Sequence, residues 1–335
     1  MKKRWLSVFL ICFILLSMLS GCDYLEVTTG RDANLQTVNV GYMANYGSLW
    51  AVINANELDY MKKEGLRVNF MEYPDGRMIV RALENGEIDV GYIGNGAHPE
   101  CINGNAKIFA LSHISNADAV IASMDINSVK DLAGKKVGYV GGTSSESILA
   151  KSLEKEGMSM DDILPVDLYQ EEIVSAIKRG DIDAVAIWSP YSLEILEEVA
   201  NVKKIADNMM FADETISLGS WIATDETVQL NRGMLIHFTK ALFKAMDYAA
   251  NENQEQTASL VAEQLGQEEE SIYTQRGDAK WLTGREVAEG AEDGTVWEYY
   301  ELQRQGFVES NIVNDEPEVN DYVVFDIMIE AGKYK

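Results

Sequence analysis

Cysteine, histidine and proline are scarce in this chain: three, three and five among 335 residues. Cys12 lies inside an N-terminal apolar run and Cys22 at its end, so Cys101 stands alone in the rest. Once a leader is removed no internal disulfide is possible, and a hydrophobic core has to hold the fold. His98, His113 and His237 form no H-E-x-x-H pattern and no Cys/His cluster at metal spacing, so the sequence calls for no metal. Gly141-Gly142-Thr143-Ser144-Ser145 is neither a G-x-S-x-G elbow nor a phosphate loop ending in Gly-Lys-Ser/Thr. Gly91, Gly94 and Gly96 make no dinucleotide fingerprint, so no cofactor is implied and the chain is not read as an enzyme. Positive charge is also short: 28 Lys and Arg against 54 Asp and Glu give −26, or −29 once Lys2, Lys3 and Arg4 leave with a leader. Nucleic acid and anionic lipid surfaces are thereby poor partners for the folded body, and an anionic ligand needs local donors. Beyond Leu19 no apolar run is long enough to span a bilayer.

What is present begins at the N-terminus. Lys2, Lys3 and Arg4 precede an apolar run from Trp5 to Leu19, which closes on Leu19-Ser20-Gly21-Cys22. Residues 1–21 read as an export signal whose end resembles a bacterial lipobox, in which the cysteine is lipidated and becomes the mature N-terminus. Cys22 would then anchor the protein through acyl chains to the extracytoplasmic face of the cell membrane, without spanning it. Residues 22–36, polar and without periodicity, read as a tether.

Two later stretches echo one another. Val40-Gly41-Tyr42 is followed by Gly86-Glu87-Ile88-Asp89-Val90, and Val137-Gly138-Tyr139 by Gly180-Asp181-Ile182-Asp183-Ala184. Each copy opens with a strand feeding a polar turn and a helix, and closes with a helix, a glycine and an apolar strand. The expectation is an α/β chain of two lobes, each a mainly parallel sheet flanked by helices. In the first copy the pattern predicts one helix from Leu49 to Glu64, capped by Ser48, with Leu49, Val52, Ile53 and Tyr60 on its buried face. Asp89 and Asp183 read as residues of the strand-start turns. Ser217 to Ala223 is expected to return the chain to the first lobe, which helices near 234–250, 257–265 and 296–305 then clad. Lobe one is thus 37–122 plus 222–335 and lobe two 123–221, with two crossings that make a hinge.

Ligands of open α/β sheets sit where strands end at their carboxyl side, so the turns there hold the candidates. Thr143, Ser144 and Ser145 follow two glycines at a helix start, where free amides and the helix dipole favour an oxyanion; N-capping alone would use the same residues. Tyr46, Gly47 and Ser48 form the matching turn of the first copy. Asn95, Gly96 and Ala97 form a third, and His98 beside them can donate to a ligand, sense pH or cap the backbone. Trp188 and Tyr191 end an apolar strand and offer flat walls for an organic ligand, with Trp221 and Trp50 as further walls or as core packing. Asp213 and Glu214 either meet a ligand amine or lie in a solvated loop. Cys101 reads as a buried small apolar residue.

These pieces occur in an order that resembles one group of proteins. The lipobox, Ala82 to Gly91, Val129 to Gly138, Gly142-Thr143-Ser144, Gly180 to Ala184 and Trp188-Ser189-Pro190-Tyr191 resemble the ABC-importer substrate-binding proteins of the sulfonate, taurine and nitrate type, a group that includes thiamine-precursor binders. The resemblance covers most of residues 37 to 225. It implies a periplasmic-binding-protein-like clamp that closes on a small-molecule solute and delivers it to the permease subunits of an importer. It also implies ligand contacts from Tyr46-Gly47, Asn95-Gly96-Ala97, Thr143-Ser144-Ser145 and the Trp188 to Tyr191 segment. The Cys-rich and His-rich motifs of the pyrimidine-synthesising relatives are missing, and no basic residue is evident in the pocket loops. An organic sulfonate or zwitterion is therefore expected before a bare inorganic anion, a heteroaromatic pyrimidine is the alternative, and the protein is expected to be a monomer.

Overall fold

The computed structural model describes residues 35–211, 214–250 and 253–334. The export signal, Cys22 and Asp213 lie outside the described residues. Gln36, assigned to the tether, is the first residue of strand β1 (Gln36–Tyr42). Helix α1 (Tyr46–Glu57) follows, then β2 (Leu66–Glu72), which pairs in parallel with β1 along its full length. Asn45, rather than Ser48, caps α1: its side chain accepts from the Ser48 amide at 2.8 Å, while the Ser48 hydroxyl accepts from the Met43 amide at 2.9 Å. The predicted single helix to Glu64 breaks where Asp59 takes the left-handed conformation at φ 59, and Tyr60 starts a separate turn, Tyr60–Lys63. From Ser48 to Ala55 every residue of α1 is buried, so this helix has no solvent face.

Helix α2 (Gly76–Glu84) leads to β3 (Val90–Ile93) and β4 (Lys107–Ser115). The chain then crosses to a second sheet with β5 (Asp118–Ser123), β6 (Lys136–Tyr139), α3 (Ser144–Lys155), β7 (Leu164–Asp167), α4 (Gln170–Arg179), β8 (Ala184–Trp188), α5 (Tyr191–Glu198) and β9 (Val202–Asp207). It returns with β10 (Leu218–Ala223), long helix α6 (Arg232–Ala249), β11 (Ala279–Trp281) and helix α7 (Thr295–Glu309). The strand orders are β11-β4-β10-β3-β1-β2 and β7-β6-β8-β5-β9. Each sheet holds three parallel strands, β2-β1-β3 or β7-β6-β8, bordered by an antiparallel one.

The echoed motif has one physical role in both copies. Asp89 accepts from the Asn39 amide at 2.7 Å and Asp183 from the Lys136 amide at 2.8 Å, so each carboxylate fills a backbone donor of the middle strand of its sheet's parallel trio, β1 or β6. The predicted crossings shift by several residues. β5 pairs wholly within the second sheet, so the chain leaves the first sheet at Asn116–Ala117 and not near 122; β10 pairs wholly within the first, so the return precedes Leu218. Cys101 is fully buried and free, and burial pushes its thiol pKa up. Among the described residues no helix is long and apolar enough to cross a membrane.

Candidate functional site

A cleft with about 740 Å³ of free space, its solvent-open mouth included, is lined from both sheets. Its lining comes from the carboxyl ends of parallel strands in both lobes: Asn45 and Gly47 after β1, Asp75 to Arg77 after β2, Gly94 to Ala97 after β3, Gly142 to Ser144 after β6, and Trp188 and Ser189 after β8. The crossing adds Ser115, Ala117 and Asp118, and the segment around β11 adds Gln275, Asp278 and Trp281. The lobes touch at its rim. A Cβ on Gly96 would overlap the Ser144 amide nitrogen and the Thr143 carbonyl carbon, so the absence of a side chain permits this approach.

Aromatic rings frame the space. The Trp281 ring lies 4.8 Å from His113 and 5.0 Å from both Trp50 and Tyr46, and Tyr92 stacks on His113 with centroids 5.9 Å apart. Trp188 closes the second-lobe side, held edge-on by Tyr191 at 6.1 Å. Rings placed this way suit a flat or short-chain organic molecule.

The charges are mostly acidic. Asp118 is buried, and burial raises its pKa, while bonding to Ser144 and Asn208 lowers it. Burial also lifts Asp278 to about 6, with Ser189 and Lys204 pulling the other way. His113 is driven down to about 3 by burial, so it is neutral at physiological pH. Arg77 is a basic residue on the cavity wall that the sequence reading did not find there. Its guanidinium already donates to the Gly141 carbonyl and pairs with Asp75 at 3.4 Å.

The glycine-rich turn also differs from its expected role as an open oxyanion site. Asp167 accepts from the Gly141 amide at 2.9 Å and Glu146 from the Gly142 amide at 2.6 Å. The fold's own carboxylates therefore occupy two of the amides that an anion would use, and their charge repels one.

Of the candidate residues, the cavity gathers Gly47, Asn95, Gly96, Ala97, Thr143, Ser144 and Trp188. Five others do not line it. Ser145 is fully buried, its hydroxyl donating to the Ala186 carbonyl at 2.6 Å and accepting from the Val140 amide at 2.9 Å. Tyr46 is fully buried against Trp281. Trp221 is core packing between Tyr92 and Phe238. Tyr191 supports Trp188 from behind. His98 bonds the Gly94 carbonyl at 3.0 Å and Ser220 at 2.9 Å, and burial lowers its pKa to about 4, which removes it as a sensor near neutrality. Glu214 pairs with Lys155 outside the cavity, and Trp50 donates to the Ser112 hydroxyl in the core. Asp118 was signalled by a carboxylate heading an otherwise apolar strand. Gln275, Asp278 and Trp281 carry no local motif, since only the pairing of β11 with β4 brings them to the site.

Comparison with known proteins agrees with this architecture. The model of the family described as NMT1/THI5 like matches residues 48–256. A Brucella abortus protein described only as a binding protein is 31% identical over 289 residues, covering 86% of this chain and 90% of its own. The taurine-binding periplasmic protein of Escherichia coli is 24% identical over 64% of this chain and 68% of its own. The 4-amino-5-hydroxymethyl-2-methylpyrimidine phosphate synthase of Aspergillus parasiticus is 28% identical over 59% of this chain and 62% of its own. In fold, the crystal structure of the Escherichia coli periplasmic aliphatic sulphonate-binding protein superposes with a TM-score of 0.64 at 21% identity, covering 86% of this chain and 92% of that one.

Proposed function

We propose, from the fact that this chain belongs to the NMT1/THI5-like family, that it is the extracytoplasmic solute-binding protein of an ABC importer. It captures a small organic solute between its lobes and presents it to the permease. The observation that carries this reading is one cavity lined from both lobes, with aromatic walls and a rim where the lobes meet. A ligand that touches both sides stabilises the closed arrangement, because only differential affinity for one state moves a hinge equilibrium. Binding relatives support a binding protein over a catalyst. Cys22, lipidated after removal of residues 1–21, would hold the monomer at the membrane.

The solute is a zwitterion of the taurine type, since the acidic lining opposes a bare sulfonate or nitrate. A heteroaromatic pyrimidine is the second reading, favoured by the Trp188, Trp281 and Tyr92 frame. Thermal-shift screening of the mature protein against sulfonates, zwitterionic amines and pyrimidines tests both. A solute that raises Tm and is recovered unchanged is the expected result, with Trp188→Ala weakening it by about 10- to 100-fold. Turnover of the hit would replace the binding reading with an enzymatic one.

A further inference from the structure

Polar atoms on one wall of the cavity are unevenly partnered. Asp118, the first residue of β5, is 4% exposed; its Oδ2 accepts from Asn208 at 3.1 Å, whereas Oδ1 has no partner among the described residues. Ser189 is 5% exposed, and its hydroxyl also lacks a partner among the described residues. Asp278 Oδ2 is buried in the same condition. Ser189 faces Asp278 closely enough for its hydroxyl to lower the carboxyl pKa, although Asp278 Oδ2 itself has no well-formed hydrogen bond among the described residues. The backbone fixes the three together at the crossing: the Ser189 amide donates to the Ala117 carbonyl at 3.0 Å, and the Asn116 amide donates to the Asp278 carbonyl at 2.5 Å.

A buried carboxylate is costly unless its charge is matched, and the donors beside these two are neutral: Ser144 and Asn208 at Asp118, Ser189 at Asp278. His113 is neutral, Arg77 is engaged by Gly141 and Asp75, and Lys204 pairs with Asp207 at 2.8 Å. What this wall lacks is a charged N–H donor for Asp118 Oδ1 and Asp278 Oδ2. A metal ion does not fit, because among the described residues no three His, Cys, Asp or Glu side chains are grouped to hold one. An oxyanion does not fit either, since it would add a negative charge beside two carboxylates.

Resting on the reading of this cavity as the solute site, we infer that Asp118, Asp278 and Ser189 form a subsite for a nitrogen donor, either an ammonium group or the amino edge of a heteroaromatic ring. This subsite, and not the glycine-rich turn, selects the ligand and rejects bare anions. Charge-assisted N–H···O bonds to the two carboxylates supply the discrimination.

Calorimetric titration with two matched pairs of probes tests the inference. The first pair is taurine and isethionate, which replaces the ammonium by a hydroxyl. The second is 4-amino-5-hydroxymethyl-2-methylpyrimidine and its 4-hydroxy counterpart. The amino member of whichever pair binds should exceed its partner by about tenfold or more, and the pair that responds tells ammonium from ring amine. Asp118→Asn and Asp278→Asn should each weaken that probe by about 10- to 100-fold, and Ser189→Ala by a few-fold. Ser189→Ala and Asp278→Asn keep the test decisive if Asp118→Asn fails to fold, because the Ser189 hydroxyl and Asp278 Oδ2 bond nothing among the described residues. Equal binding of both members of a pair, or unchanged affinity in the variants, overturns the subsite and leaves the importer reading intact. If neither pair binds and no solute in the wider screen raises Tm, both fall together.

Discussion

Ser145 illustrates how a single hydroxyl in a candidate turn is taken up by the fold. It joins the end of β6 to β8 through Val140 and Ala186, with no water exposure. Ser145→Ala should therefore lower unfolding free energy by about 1–3 kcal/mol in denaturant titration while ligand affinity stays at the wild-type value. A loss of affinity without a loss of stability would put Ser145 back at the ligand. Asp278 behaves differently because its environment favours the neutral acid. Burial raises its folded pKa from 3.8 to about 6, so its contribution to stability is complete below pH 3.8 and fades as pH rises through 6. Affinity for a nitrogen donor should move in the opposite sense, rising through the same window as the carboxylate ionises. Comparing Tm of the empty protein and Kd of the hit at about pH 5 and about pH 7.5, in wild type and Asp278→Asn, reads both trends; the variant should flatten them. Identical pH profiles in the two proteins would show that Asp278 does not titrate at the site.

Among the elements, the turn Asn95–Ala97 and the start of α3 matter most, because they meet across the cleft. Gln303 on α7 donates to the Asn95 side chain at 2.6 Å and so steadies that turn from behind. A methyl group on Gly96 has no room while Thr143 and Ser144 are opposite, and the opening of the empty protein that the proposed hinge entails would relieve the overlap. Gly96→Ala should thus cost about tenfold or more in solute affinity and leave Tm of the empty protein within a few degrees of wild type. Wild-type affinity in this variant would mean that closure does not require that contact. The glycine-rich turn opposite was expected to offer its amides to a ligand, and Asp167 and Glu146 fill those of Gly141 and Gly142 instead. Sequence spacing shows a turn at a helix start, but it does not show which distant carboxylate folds back on it.

At the scale of the whole molecule, two sheets of like order face one another, with the chain passing between them at Asn116–Ala117 and again before Leu218. Long segments from the C-terminal third clad the first lobe, where α6 packs on α1 and β11 extends the sheet beyond β4. This returning chain brings Gln275, Asp278 and Trp281 to a cavity otherwise built from the first two-thirds of the sequence. Arg77 on the first lobe reaches the Gly141 carbonyl of the second, a link across the cleft made by the protein itself. In the proposed clamp such a contact would favour closure before a ligand arrives, and a ligand touching both sides would add to it.

By itself the sequence determined the α/β class, the two echoed copies and the turns that line the cleft, because apolar periodicity and Gly punctuation are local signals, while strand β7, short and mostly exposed, carried no such signal. It also placed Asp89 and Asp183 correctly as strand-start residues, since their spacing from Gly86 and Gly180 repeats. Only the tertiary structure decided which side chains of those turns face the cavity. Tyr46, Ser145 and Trp221 sit beside it in sequence or space and are consumed by packing, and Tyr191 is half-buried against Trp188, while Arg77, Asp118, Asp278 and Trp281 arrive through strand pairing and lobe contact. Direction of a side chain and partnership between residues far apart in the chain are set by the packed core, and no local pattern encodes them.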